Sequence, residues 1–141
     1  MRVMVIVPSG QGSEEGALPD ERLLAAMQQY NEDLAKAGVM LAGEGLHPSS
    51  KGKRVRFEGS KRTVIDGPFT ESKELIAGFW LLQVRSLDEA VEWVKRAPFD
   101  GGTVEIRPIF ETQEFFDQAK VSPDLREREE RLRAQLQASK S

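Results

Sequence analysis

Cysteine is absent from the 141 residues, histidine and tyrosine occur once each, and tryptophan occurs twice. The missing thiols exclude disulfides, thiolate metal ligands and cysteine nucleophiles, and leave the redox compartment undetermined. A single histidine without cysteine argues against a structural zinc site, whereas a carboxylate-rich divalent site stays open. Glycine-based signatures are missing too. Gly43-x-Gly45 lacks the third glycine of a dinucleotide fingerprint, Ser49-Ser50-Lys51-Gly52-Lys53 lacks Walker spacing, and no Gly-x-Ser-x-Gly elbow occurs. No cofactor and no metal are expected. Long apolar runs are also absent: residues 1–7 are largely apolar, but Pro8 and a Gly/Ser/Glu-rich run to Gly16 follow too soon for a signal-peptide core or a membrane span. A cytoplasmic location without a membrane partner is the expectation. Neither sign of charge dominates, since 20 basic and 23 acidic residues leave a net charge of -3. That balance creates no demand for nucleic acid.

What is present suits one domain with its own core, over residues 1–118, followed by a charged tail, 119–141. Val3, Val5 and Val7 alternate with Met4 and Ile6, so a first strand is apolar on both faces and belongs inside a sheet. After a polar loop, Pro19 suits a first helical position, Asp20 and Glu21 favour the positive end of a helix dipole, and Leu23, Met27, Tyr30 and Leu34 follow at helical spacing to a stop at Gly38. Residues 39–46 read as a strand in which Gly43 and Gly45 suggest a bulge or a close backbone approach. Residues 54–57 and 62–65 alternate charged and apolar around Glu58-Gly59-Ser60-Lys61, the pattern of a half-exposed hairpin. The densest apolar run, 76–84, reads as an interior strand. Ser86 and Glu89 form a capping box for a helix that closes before Pro98, and residues 103–111 read as a last strand. In the tail, Glu127 with Arg131 and Glu129 with Arg133 stand at helix-supporting spacing. That helix is either solvated or packed on a partner subunit through a thin seam of Leu125, Leu132 and Leu136.

The order strand, helix, strand, hairpin, strand, helix, strand is an α+β pattern: the ferredoxin-like split βαβ with an inserted β-hairpin, plus a charged C-terminal helix. Both helices would cover one face of the sheet. The other face, apolar and uncovered, calls for a partner, so a homodimer is expected.

Asp66-Gly67-Pro68-Phe69 sets a carboxylate, a permissive glycine and a rigid proline between two strand-like runs, which predicts a stiff corner with Phe69 anchored in the core. Asp66 reads either as a turn residue or as a general base facing a cleft. His47 is the only side chain whose ordinary pKa suits proton transfer near neutrality; it ends the second strand and is either structural or catalytic. Glu44, Glu105 and Arg107 come from neighbouring strands. They form either a Glu-Arg pair or an anion-binding arginine with a carboxylate for proton transfer. Lys51, Lys53, Arg54, Arg56, Lys61 and Arg62 crowd the hairpin, which is either merely solvated or a lip that draws an anionic ligand, Arg54 included. Phe57 is the only ring among them, so base stacking is poorly supported and nucleic acid is not the expected partner.

Gly43-Glu44-Gly45-Leu46-His47-Pro48, the run from Asp66-Gly67-Pro68-Phe69 to Glu74, Gly78-Phe79-Trp80 and Leu87-Asp88-Glu89-Ala90 together resemble the DGPF-motif group of the YCII-related superfamily. The resemblance runs from residue 1 to about residue 110. It implies a dimeric α/β barrel with a cleft at the sheets, and an aspartate, matched by Asp66, discussed as half of a His-Asp pair; His47 lies in a different segment from the family's usual histidine. It also implies association with alternative sigma factors. Two functions follow as expectations. One is binding of a small polar or anionic molecule near Arg107, with acid-base work by Asp66 and His47 or Glu44. The other is a non-catalytic accessory role in which the hairpin and tail bind a transcription-related protein.

Overall fold

The computed structural model describes residues 1–71 and 74–140, so Ser72 and Lys73 of the extended corner motif lie outside the described residues. The elements are β1 (Arg2–Pro8), α1 (Gln11–Glu14), α2 (Glu21–Lys36), β2 (Met40–Gly45), a 3-10 turn (Ser49–Lys51), β3 (Lys53–Glu58), β4 (Lys61–Asp66), β5 (Ile76–Gln83), α3 (Leu87–Val94), β6 (Glu105–Pro108), α4 (Thr112–Ala119) and α5 (Pro123–Ala138). They form two compact units, Met1–Pro108 and a second from Ile109 onward. The tail boundary expected after residue 118 falls inside α4.

In the first unit four strands pair in the order β2-β5-β1-β6, and every neighbouring pair is antiparallel. The α+β class is therefore observed, with the two most apolar strands, β1 and β5, in the middle. Register separates the faces. Val3 and Val5 stand opposite Leu82 and Trp80, and these four join Tyr30 and Leu34 of α2 and Ala90 of α3 in the buried core. Removing Val3, Val5, Leu34 and Leu82 fully from water stabilises the fold by about 2 kcal/mol each. Met4 and Ile6 alternate onto the opposite face, with Leu81 and Phe79 as their β5 partners.

Helix α2 begins two residues later than Pro19 suggested. The Asp20 side chain accepts the Leu23 N–H at 2.8 Å, so aspartate is the cap and proline precedes it. Tyr30 ties α2 to α3 by donating its hydroxyl to the Trp93 carbonyl at 2.7 Å. At α3 the capping box is displaced: Ser86 Oγ accepts from the Glu89 N–H, but the Glu89 carboxylate reaches back to the Arg85 N–H at 2.9 Å rather than to that of Ser86. That backbone donor above all, with the Arg85 side chain, holds the Glu89 carboxyl below the ordinary carboxylate range.

Three local expectations change. The loop after β1 contains the short helix α1. The last strand is shorter than 103–111 and ends at Pro108, whose ring removes a donor from the ladder; α4 begins four residues later. The hairpin β3/β4 forms a sheet of its own and is exposed rather than half-buried, Phe57 at 68% and Val64 at 62%. Two strands alone are marginal in water. This pair is steadied at its base by the corner, where the Gly67 N–H donates to the Gly52 carbonyl at 3.1 Å and the Phe69 N–H to Ser49 Oγ at 3.0 Å. The Gly67-Pro68 peptide is cis. A Cβ on Gly67 would lie 1.8 Å from the Ser49 carbonyl oxygen, so only glycine fits there.

The second unit is α4 and α5. Lys120, with φ of 54°, caps α4 in the left-handed region, and Arg126 pairs with Asp117 at 2.8 Å. Ser122 caps α5, while Leu125, Leu132 and Leu136 stay 40 to 47% exposed.

Candidate functional site

A cavity of about 570 Å³ opens in the first unit beside the core, within the size range of small-molecule sites. Its walls come from four regions: the end of β1 and the loop after it, one side of α2 from Leu23 to Asn31, the glycine-rich ends of β2 and β5, and the loop that leads into β6. Leu23 and Met27 of α2, Val7, Trp80, Phe99 and Val104 supply apolar surface. Polar groups are few: the hydroxyls of Ser9, Ser13 and Thr103, the Asn31 amide, and the carboxylate-bearing Glu44. No lysine or arginine lines it among the described residues.

Trp80 fixes one wall. Its indole N–H donates to Asn31 Oδ1 at 2.9 Å, which locks the ring orientation and satisfies the indole donor. Tyr30 meets the ring edge-on at a centroid distance of 5.6 Å, and Phe99 lies tilted at 6.2 Å. Gly43 makes room for this arrangement. A Cβ there would fall 2.6 Å from the Trp80 ring, which is the close backbone approach that the strand glycines suggested.

The six residues singled out in the sequence do not converge on this cavity. Asp66, the last residue of β4, stands opposite Lys53 in the hairpin register, and its carboxylate is held by the Lys53 ammonium with both side chains exposed. His47 is exposed, just past Leu46, whose N–H donates to the Ala77 carbonyl. Arg54 lies over the Phe69 ring at 3.9 Å and pairs loosely with Glu74. Phe69 is accordingly half-buried under a guanidinium rather than anchored in the core.

Glu44, Glu105 and Arg107 do share one surface. Glu44 pairs with Phe79, Glu105 with Ile6 and Arg107 with Met4, so all three alternate onto the sheet face opposite the core. Arg107 Nε stands 3.7 Å from Glu105 Oε2 within the same strand, both side chains well exposed. The pair is intrastrand rather than cross-strand. Of the six, only Glu44 belongs to a segment of the cavity wall.

Sequence reasoning missed Trp80, Asn31, Met27 and Phe99 as site residues. Each reads as core or surface by period alone, and only the glycines at 43 and 45 signalled that backbone and ring come close. Among the described residues no group of three or more histidine, aspartate or glutamate side chains is placed to hold a metal ion, and no helix is long and apolar enough to cross a membrane.

Comparison with known proteins adds three findings. A relative from Rhizobium meliloti (strain 1021), described only as an uncharacterized protein, is 31% identical over 93 residues, which are 64% of this chain and 75% of that protein. The solved 5-chloro-2-hydroxyhydroquinone dehydrochlorinase from Burkholderia phenoliruptrix AC1100, in complex with 2,5-dihydroxybenzoquinone, is 16% identical with a TM-score of 0.46, covering 80% of this chain and 97% of that one. The model of the YCII-related domain matches residues 1–113. With four-fifths of its length inside that match, the chain belongs to the YCII-related domain family.

Proposed function

We propose that this YCII-related protein binds a small, flat, largely apolar molecule in the cavity beside Trp80. The observation that carries this reading is the composition of the wall: aromatic and aliphatic side chains around about 570 Å³, with a handful of hydroxyl and amide groups to orient one polar end. A strongly anionic ligand would find no basic side chain there among the described residues. The ligand class therefore moves from the polar or anionic molecule expected near Arg107 to an apolar ring system carrying a hydroxyl or carbonyl.

The test uses 1-naphthol as a probe, with binding followed by calorimetry. Met27→Trp and Leu23→Trp each place an indole in the cavity from α2, and each is expected to weaken binding about tenfold or more, a loss of about 1.4 kcal/mol. Either variant suffices if the other unfolds. Failure of the unaltered protein to bind 1-naphthol, or equal binding by folded filler variants, would sink the reading.

The same proposal includes the assembly. The strand order β2-β5-β1-β6 supports the ferredoxin-like split βαβ arrangement, and the apolar Met4, Ile6, Phe79 and Leu81 on the face away from the helices support a homodimer closed as an α/β barrel. Glu44, Glu105 and Arg107 would then lie at the subunit interface. An accessory role is a second reading, favoured by the exposed Leu125, Leu132 and Leu136 of α5, which suit a protein partner such as a transcription-related factor.

A further inference from the structure

The cavity wall includes the segment that follows β1. Ser9, Gly10 and Ser13 line the cavity, and they belong to the stretch that leaves β1 and forms the four-residue helix α1. One end is tied to the sheet, since the Ser9 N–H donates to the Leu75 carbonyl at 3.0 Å. The other end is tied through Glu14. Its carboxylate accepts the Ser49 N–H at 3.2 and 3.3 Å and the Ser49 hydroxyl at 2.6 Å, the last a short bond of the charge-assisted kind.

Ser49 is itself held by the Asp-Gly-Pro-Phe corner. Its Oγ accepts the Phe69 N–H at 3.0 Å, and its carbonyl oxygen is pressed against Gly67 so closely that no side chain fits between them. The Ser49 hydroxyl thus donates its one hydrogen bond to Glu14 while one of its two lone pairs accepts the Phe69 N–H. A continuous set of contacts runs from the corner through Ser49 and Glu14 to the cavity wall. Glu14, Ser49, Gly67 and Phe69 are not themselves among the residues that line the cavity.

We propose that the corner acts as the anchor of the cavity wall, with Ser49 and Glu14 as positioning residues that hold the segment of residues 9–14 against the bound molecule. The inference rests on the cavity being the binding site. It accounts for the motif without asking Asp66 for chemistry: Gly67 is required for the approach to Ser49, Pro68 shapes the turn, and the backbone of Phe69 supplies the donor.

The experiment reads two quantities on the full chain, 1-naphthol affinity and amide hydrogen exchange of residues 9–16. Ser49→Ala deletes the shared hydroxyl and Glu14→Ala deletes the acceptor. Each is expected to raise exchange in that segment about tenfold and to weaken 1-naphthol binding about tenfold, with exchange in β1 and β5 unchanged. Ser49→Thr, which keeps the hydroxyl, restores both quantities. The double variant loses less than the sum of the two single ones, because the hydroxyl–carboxylate bond is common to both. Unchanged exchange in the Ser49→Ala protein overturns the anchor outright. Raised exchange with unaltered affinity overturns its link to the ligand. If the unaltered protein does not bind 1-naphthol, the reading of the cavity fails, and exchange alone decides the anchor.

Discussion

Tyr30 concentrates several physical effects in one side chain. It is the only tyrosine, it is almost fully buried, and its hydroxyl donates to the Trp93 carbonyl. Burial raises its pKa from 10.0 to about 12, against a smaller lowering influence from Arg96. The folded state therefore keeps the proton over a range in which the unfolded chain has lost it. Stability from this group is fully present below about pH 10 and declines as pH rises toward about 12. Denaturant unfolding across that range should show the decline, and Tyr30→Phe should remove that part of it while costing about 1 kcal/mol at neutral pH for the lost hydrogen bond. Because no other tyrosine absorbs, the tyrosinate signal of the folded protein reports this residue alone. A midpoint near the ordinary value would contradict the burial argument.

At the level of elements, the hairpin explains what happened to the most conspicuous candidate in the sequence. Asp66 looked like chemistry because of the motif it opens. Counting back from the two-residue turn at Gly59 and Ser60, however, puts Lys53 directly across from it, and that register was readable in advance. An exposed cross-strand ion pair contributes about 0 to 1 kcal/mol, so Asp66→Asn should change unfolding free energy by about 1 kcal/mol at most and leave 1-naphthol affinity as it was. A large loss of binding in a folded Asn variant would return Asp66 to the site. The strands and both core helices were legible because their periods are strong, from Val3-x-Val5 in β1 to Leu23, Met27, Tyr30 and Leu34 in α2. Helix α4 was not, because Phe115 and Phe116 are the only large apolar residues between 112 and 119 and set no helical period. The cavity was hidden for a different reason. Trp80, Met27 and Phe99 are brought together by packing across 73 positions of chain, and no local pattern encodes a space between side chains.

For the whole molecule, the two faces of the sheet are unequal. One carries the core under α2 and α3; the other presents Met4, Ile6, Phe79 and Leu81 at its centre, with Arg2 at the start of β1, Glu44 on β2 and Glu105 and Arg107 on β6 around them. The proposed homodimer would cover this apolar face. Light scattering at micromolar concentration should report a dimer, and Leu81→Glu, which introduces a charge in the middle of the face, should report a monomer that keeps its helical content. A protein that is monomeric to begin with, or a Leu81→Glu variant that stays dimeric, would contradict the proposed barrel.

The contact between Tyr30 and Trp80 also makes the protein its own reporter. With ring centroids 5.6 Å apart and no second tyrosine in the chain, light absorbed by the phenol passes to the indole before it can be emitted. Tyrosine emission should be silent while α2 lies on the sheet and appear only when the helix separates from it. The join between helix α2 and strand β5 behind the Trp80 wall can thus be followed in solution without adding any dye.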